Sequence, residues 1–147
     1  MQLEQLAEPP LKGGASRIEE YGLLGDCYSA ALVGKDGSID WLCWPRFDSD
    51  ACFAALLGTP DNGRWLLAPV DARARVSRRY REDTLILETR FKTDAAVVVI
   101  EFIPPHGGPP DLIRIVAGER LPFVLGCGAS HLAPPRTSGC GTRAGAE

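Results

Sequence analysis

Short apolar runs, each bounded by turn-forming residues, recur at roughly 8–12-residue spacing from Ile18 to Val116, and this rhythm limits the possible folds severely. The clearest instance is CYSAALV (27–33), then GKDG, then SIDWLC (38–43). Asp36 and Gly37 tolerate the positive φ that tight hairpin turns demand, so the two runs are predicted to pair as antiparallel strands. RWLLAP (64–69), the arginine-rich stretch 72–81, TLILETRF (84–91), AAVVVIEFI (95–103) and DLIRIV (111–116) continue the pattern. The β-branched content of AAVVVIEFI argues against reading it as a helix. One short helix is predicted over ACFAALL (51–57), capped by Ser49 or Asp50 and stopped at Gly58. The expected fold is therefore all-β, an antiparallel β-sandwich with one short helix.

Residues 1–17 hold Pro9, Pro10, Gly13 and Gly14 without lasting periodicity and read as a flexible leader. Residues 18–117 form the sandwich domain, and residues 118–147 lose the strand rhythm and read as a disordered, divergent tail. A chain of 147 residues, 45% of them hydrophobic, has material for one core and no second one. No run of about 18 apolar residues occurs, and the start lacks a basic segment followed by an apolar one. Neither a membrane partner nor a secretory signal is expected, and the expected location is cytoplasmic. A net charge of −3 gives no general attraction to nucleic acid. Arg73, Arg75, Arg78, Arg79 and Arg81 are dense, but Tyr80 is their sole aromatic and Glu82, Asp83 and Glu88 lie close by. They read as a solvated sheet face with cross-strand ion pairs, not as a nucleic-acid groove.

Cys27, Cys43, Cys52, Cys127 and Cys140 are irregularly spaced, with only His106 and His131 to join them. A zinc site wants about four ligands, usually in close pairs, so no metal and no cofactor is expected. The first three cysteines read as core-filling thiols. Phosphate-binding glycine loops and nucleophile elbows are absent from the sequence. What stands out is WLCWPRFDSDACF (41–53). Trp44, Arg46, Phe47 and Asp48 combine flat apolar faces with charged hydrogen-bonding groups, a mixture suited to stacking on a sugar ring or to anchoring an interface. The plainer alternative makes the aromatics core and pairs Arg46 locally with an aspartate. An independent enzyme using Asp26, Asp40 or Asp48 is a third reading.

The run IEEYGLLGDCYSAALVGKDGSIDWLCWPRFDSDACFAALLG, followed in order by GRWLLAP, RRYREDTLILETRF, VIEFIPP and DLIRIV, resembles the N-terminal domain of bacterial glycoside hydrolase family 15 proteins, the trehalase-like and glucoamylase-like group. The resemblance covers residues 18–116 and implies an antiparallel β-sandwich that precedes a larger (α/α)6 catalytic barrel. It further implies that the whole protein hydrolyses α-glucosides such as trehalose or maltooligosaccharides with inversion. One glutamic acid would protonate the leaving oxygen while a second carboxylate activates water. Both carboxylates belong to the barrel, so no catalytic residue is expected in this chain, and the barrel is its expected partner. Tyr28 departs from the family pattern, where a basic residue is common. The loss of pattern after DLIRIV implies an incomplete sandwich and a truncated or frameshifted reading frame.

Overall fold

The computed structural model describes residues 16–71, 73–105, 110–118 and 123–128, the last six as backbone only. Ten strands lie among the described residues: β1 (Tyr21–Gly25), β2 (Ala30–Gly34), β3 (Ser38–Cys43), β4 (Ala51–Phe53), β5 (Arg64–Pro69), β6 (Arg75–Tyr80), β7 (Leu87–Lys92), β8 (Ala96–Phe102), β9 (Ile113–Gly118) and β10 (Phe123–Gly128). One sheet runs β1-β2-β3-β5-β10 with β4 paired to β3, and the other runs β6-β7-β8-β9. Every pairing is antiparallel. The two sheets share a core, as the rhythm of short apolar runs predicts. Leu24, Ala31, Val33, Ile39, Leu42 and Phe53 of the first pack with Leu87 and Ile103, and Leu67 packs with Phe91 and Val99.

The β2–β3 hairpin forms where expected. Gly37 has φ 84°, donates its N–H to the Gly34 carbonyl at 3.0 Å, and lies so near the Leu67 carbonyl that a Cβ would collide with it. Only glycine meets both demands. In β8, strict alternation sends Val97, Val99 and Glu101 inward. Burying side chains such as Val99 or Phe91 contributes about 1.5–3 kcal/mol each.

Three expectations need correction. ACFAALL is not one helix: Ala51–Phe53 is strand β4 and Ala55–Leu57 a single 3-10 turn, with no side-chain cap from Ser49 or Asp50. Pairing with Leu42 and Cys43 buries Phe53 in the core, which a segment too short to nucleate a stable helix cannot match. Tyr21–Gly25, not among the strands expected, forms β1. Within the stretch read as a patternless tail, Phe123–Gly128 pairs along the whole of β5 as β10. Backbone pairing to an existing strand needs no side-chain alternation, so FVLGCG hides its state from a periodicity argument. Residues 119–122 and 129–147 of the tail and residues 1–15 of the leader lie outside the described residues, as do His106 and His131.

The sandwich interior carries charge that the sequence reading missed. The side chains of Arg114 in β9 and Glu101 in β8 are 1% and 0% exposed, with Arg114 Nε 2.8 Å from Glu101 Oε1. The same guanidinium donates to the Trp65 carbonyl at 2.8 Å and the Gly37 carbonyl at 2.6 Å, and lies 5.1 Å from the centre of the Trp65 ring. Burial pushes the Glu101 carboxyl up, opposed first by the Arg114 charge. At the other side of the sandwich Arg78 donates to the Val33 and Glu20 carbonyls, and Tyr80 exchanges hydrogen bonds with the backbone of Leu23. Of the arginine cluster, Arg79 and Arg81 do form the expected cross-strand pairs, both with Glu88, whereas Arg78 turns inward as a strap between sheets.

Candidate functional site

Two turns at one end of the first sheet build the site. The β1–β2 turn begins at Asp26, whose buried carboxylate accepts the N–H groups of Tyr28 at 2.9 Å and Ser29 at 2.8 Å. This Asx arrangement lets Cys27 take φ 73° and turns its side chain out, so Cys27 is exposed and not the core thiol expected. Cys43 is buried and Cys52 half-buried, as expected, and burial pushes both thiols up, away from nucleophilic use.

The second turn, 44–50, follows β3 through a cis Trp44–Pro45 peptide. The Ser49 N–H donates to the Arg46 carbonyl at 3.0 Å, and Arg46 Nε donates to Asp48 Oδ1 at 3.0 Å. That mutual bond holds Asp48 below the ordinary carboxylate range and raises Arg46. The two turns are tied together: the Phe47 N–H donates to the Tyr28 carbonyl at 2.8 Å, and the Ser29 hydroxyl donates to the Cys43 carbonyl at 2.6 Å. The result is a cross-braced platform.

The four candidate residues divide. Trp44 is half-buried and packs against the core, so its aromatic mass is structural. Arg46 and Asp48 form the local pair of the plainer reading, yet both side chains stay open to solvent. Phe47 is 63% exposed, and Tyr28 beside it 52%. An exposed aromatic held by a braced backbone suits contact with another surface or a flat ligand, because little ordering is left to lose on binding. Tyr28 is not among the candidates the sequence points to; the bond from the Phe47 N–H to its carbonyl is what brings it to the site.

The three aspartates of the independent-enzyme reading each have local work. Asp26 caps its turn, Asp48 pairs with Arg46, and Asp40 accepts bonds from the Tyr21 hydroxyl at 2.8 Å and the Ser38 hydroxyl at 2.5 Å. Burial, then Asp40, pushes the Tyr21 phenol up to about 12. No group of three or more His, Cys, Asp or Glu side chains able to hold a metal occurs among the described residues. Among them, too, no helix is long and apolar enough to cross a membrane.

The family described as trehalase-like, N-terminal, matches residues 11–132, which takes in both turns and all ten strands. The trehalase of Mycolicibacterium smegmatis is 36% identical over 94 residues, covering 64% of this chain and 14% of that protein. The trehalase of Mycobacterium tuberculosis is 33% identical over 91 residues, 62% of this chain and 13% of its own length. Trehalase 2 of Sulfolobus acidocaldarius is 35% identical over 103 residues, 70% of this chain and 17% of its own length. The chain thus spans less than a fifth of each of these relatives. No solved structure matches it. An all-β sandwich, a family match over most of the length and relatives that are trehalases lead to one conclusion: the chain belongs to the trehalase-like N-terminal domain family.

Proposed function

We propose that this chain is the accessory sandwich of a glycoside hydrolase family 15 protein, supporting hydrolysis of an α-glucoside such as trehalose by a separate catalytic barrel and carrying no catalytic residue itself. The observation that carries this reading is the platform of Tyr28 and Phe47, braced across two turns and exposed at one end of the sandwich. The relatives support it: each is a trehalase, and the part resembling this chain is a small fraction of it. In such a protein the acid that protonates the leaving oxygen and the base that activates water sit in the barrel. The platform's part is to meet the barrel mouth, with Phe47 as the apolar anchor and Arg46 and Asp48 as polar rim or sugar contacts.

Alanine at the positions equivalent to Arg46, Phe47 and Asp48 in a full-length trehalase tests this reading. Loss of turnover at unchanged thermal stability is expected if the platform lines the sugar pocket, and loss of both if it forms the domain interface. Unchanged kinetics and stability would overturn it. A second reading, a stand-alone carbohydrate-binding module, draws on the same exposed aromatics; saturable heat on titrating trehalose or maltooligosaccharide into the isolated chain would favour it.

A further inference from the structure

The sequence holds a single asparagine, Asn62, and a glycine follows it. Each has a structural reason to be there. Pro60–Asn62 is a 3-10 turn between β4 and β5, and the Asn62 side-chain oxygen accepts the Thr59 N–H at 2.9 Å, closing the turn on itself. Gly63 then takes φ 91°, a backbone conformation that favours glycine. The carbonyls of Asn62 and Gly63 accept the Ala54 N–H at 3.2 and 3.1 Å, and the Gly63 carbonyl also accepts the Ala55 N–H at 3.1 Å. The pair thus fixes the entry into β5.

Asparagine before glycine is also the least hindered arrangement for attack of the backbone on a side-chain amide, because glycine has no side chain to crowd the ring closure. The Gly63 nitrogen loses its proton and bonds to Asn62 Cγ, the bond from Cγ to Nδ2 breaks, and ammonia leaves a succinimide behind. Water then opens that ring at either carbonyl, giving aspartate or isoaspartate. The fold holds both reacting groups away from this path. The Gly63 N–H is donated to the Pro60 carbonyl at 3.0 Å, Gly63 is buried, and the Asn62 side chain is bound back to residue 59. We propose that Asn62 is a deamidation site which the 59–63 turn keeps unreactive, so that its conversion marks each molecule in which that turn has opened. Isoaspartate carries the main chain through the side-chain carbon, and the added methylene displaces the carbonyls that hold Ala54 and Ala55.

Peptide mapping of the full chain after incubation at mildly alkaline pH tests the proposal, since the tryptic peptide 47–64 contains Asn62 and no glutamine. Deamidation of that peptide is expected to run about tenfold or more slower in buffer than in denaturing urea, because it waits on local opening. Pro60→Gly loosens the turn without changing either reacting residue and should speed the reaction in buffer about two- to fivefold. Should Pro60→Gly fail to fold, the unmodified chain in urea below its unfolding transition decides: the rate should rise there, ahead of global unfolding. Equal rates in buffer and denaturing urea, or an asparagine that survives denaturing urea, would overturn the proposal. So would a folded Pro60→Gly chain no faster than the unmodified one, or a rate that stays flat up to the unfolding transition.

Discussion

Tyr21 shows how one side chain joins local structure to pH response. Its hydroxyl donates to a buried Asp40 carboxylate, so ionising it would place two negative charges together in a desolvated setting. A phenol raised to about 12 in the folded chain, against about 10 in an unfolded one, contributes stability that is fully present below pH 10. That stability is lost as the pH rises toward 12. The expected outcome is a late component in the tyrosinate absorbance titration, near pH 12, that Tyr21→Phe removes. Titration complete near pH 10 with no such component would contradict it. The same scale separates the candidate residues. Trp44, Arg46, Phe47 and Asp48 were recognisable as a group from composition, but which of them faces solvent depends on the bond from the Phe47 N–H to the Tyr28 carbonyl, a contact 19 residues away in sequence.

Between elements, the Arg114–Glu101 pair ties β9 and β8 to β5 and to the β2–β3 turn. The pairs of Arg79 and Arg81 with Glu88 contribute little, because water screens them and long side chains must be ordered. The buried pair is different in kind: removing one partner strands the other charge inside. Glu101→Ala is expected to cost about 3–5 kcal/mol in urea unfolding, and the double replacement Glu101→Leu with Arg114→Met much less. A double replacement costing the sum of Glu101→Leu alone and Arg114→Met alone would show that the pair is not coupled. The strands around this clasp were legible because alternation and turn chemistry act locally: the Asp36–Gly37 hairpin, β5, β8 and β9 all lie where the sequence places them. The clasp itself left a readable trace, a glutamate at an inward position of VVVIEF, but only its partner strand shows that it is satisfied. β1 and β10 were harder, since Gly22, Gly25, Gly126 and Gly128 dilute their patterns and their identity rests on pairing with β2 and β5. The helix expected over ACFAALL failed for the same reason, a tertiary pairing outweighing weak local propensity.

At the scale of the molecule, both outer strands of the four-stranded sheet are tied to the first sheet, β6 by Arg78 and Tyr80 and β9 by Arg114, and the platform of Tyr28 and Phe47 crowns one end. Each aspartate weighed as a catalytic group is engaged in a cap, an ion pair or a hydroxyl bond. This arrangement suits a domain that supports chemistry performed elsewhere. The central claim is tested most directly by glucose release from trehalose, with the purified chain and a full-length trehalase assayed side by side. The account predicts that the chain releases no glucose above the buffer control while the full-length enzyme does; glucose release by the chain, abolished by replacing Asp26, Asp40 or Asp48, would contradict it.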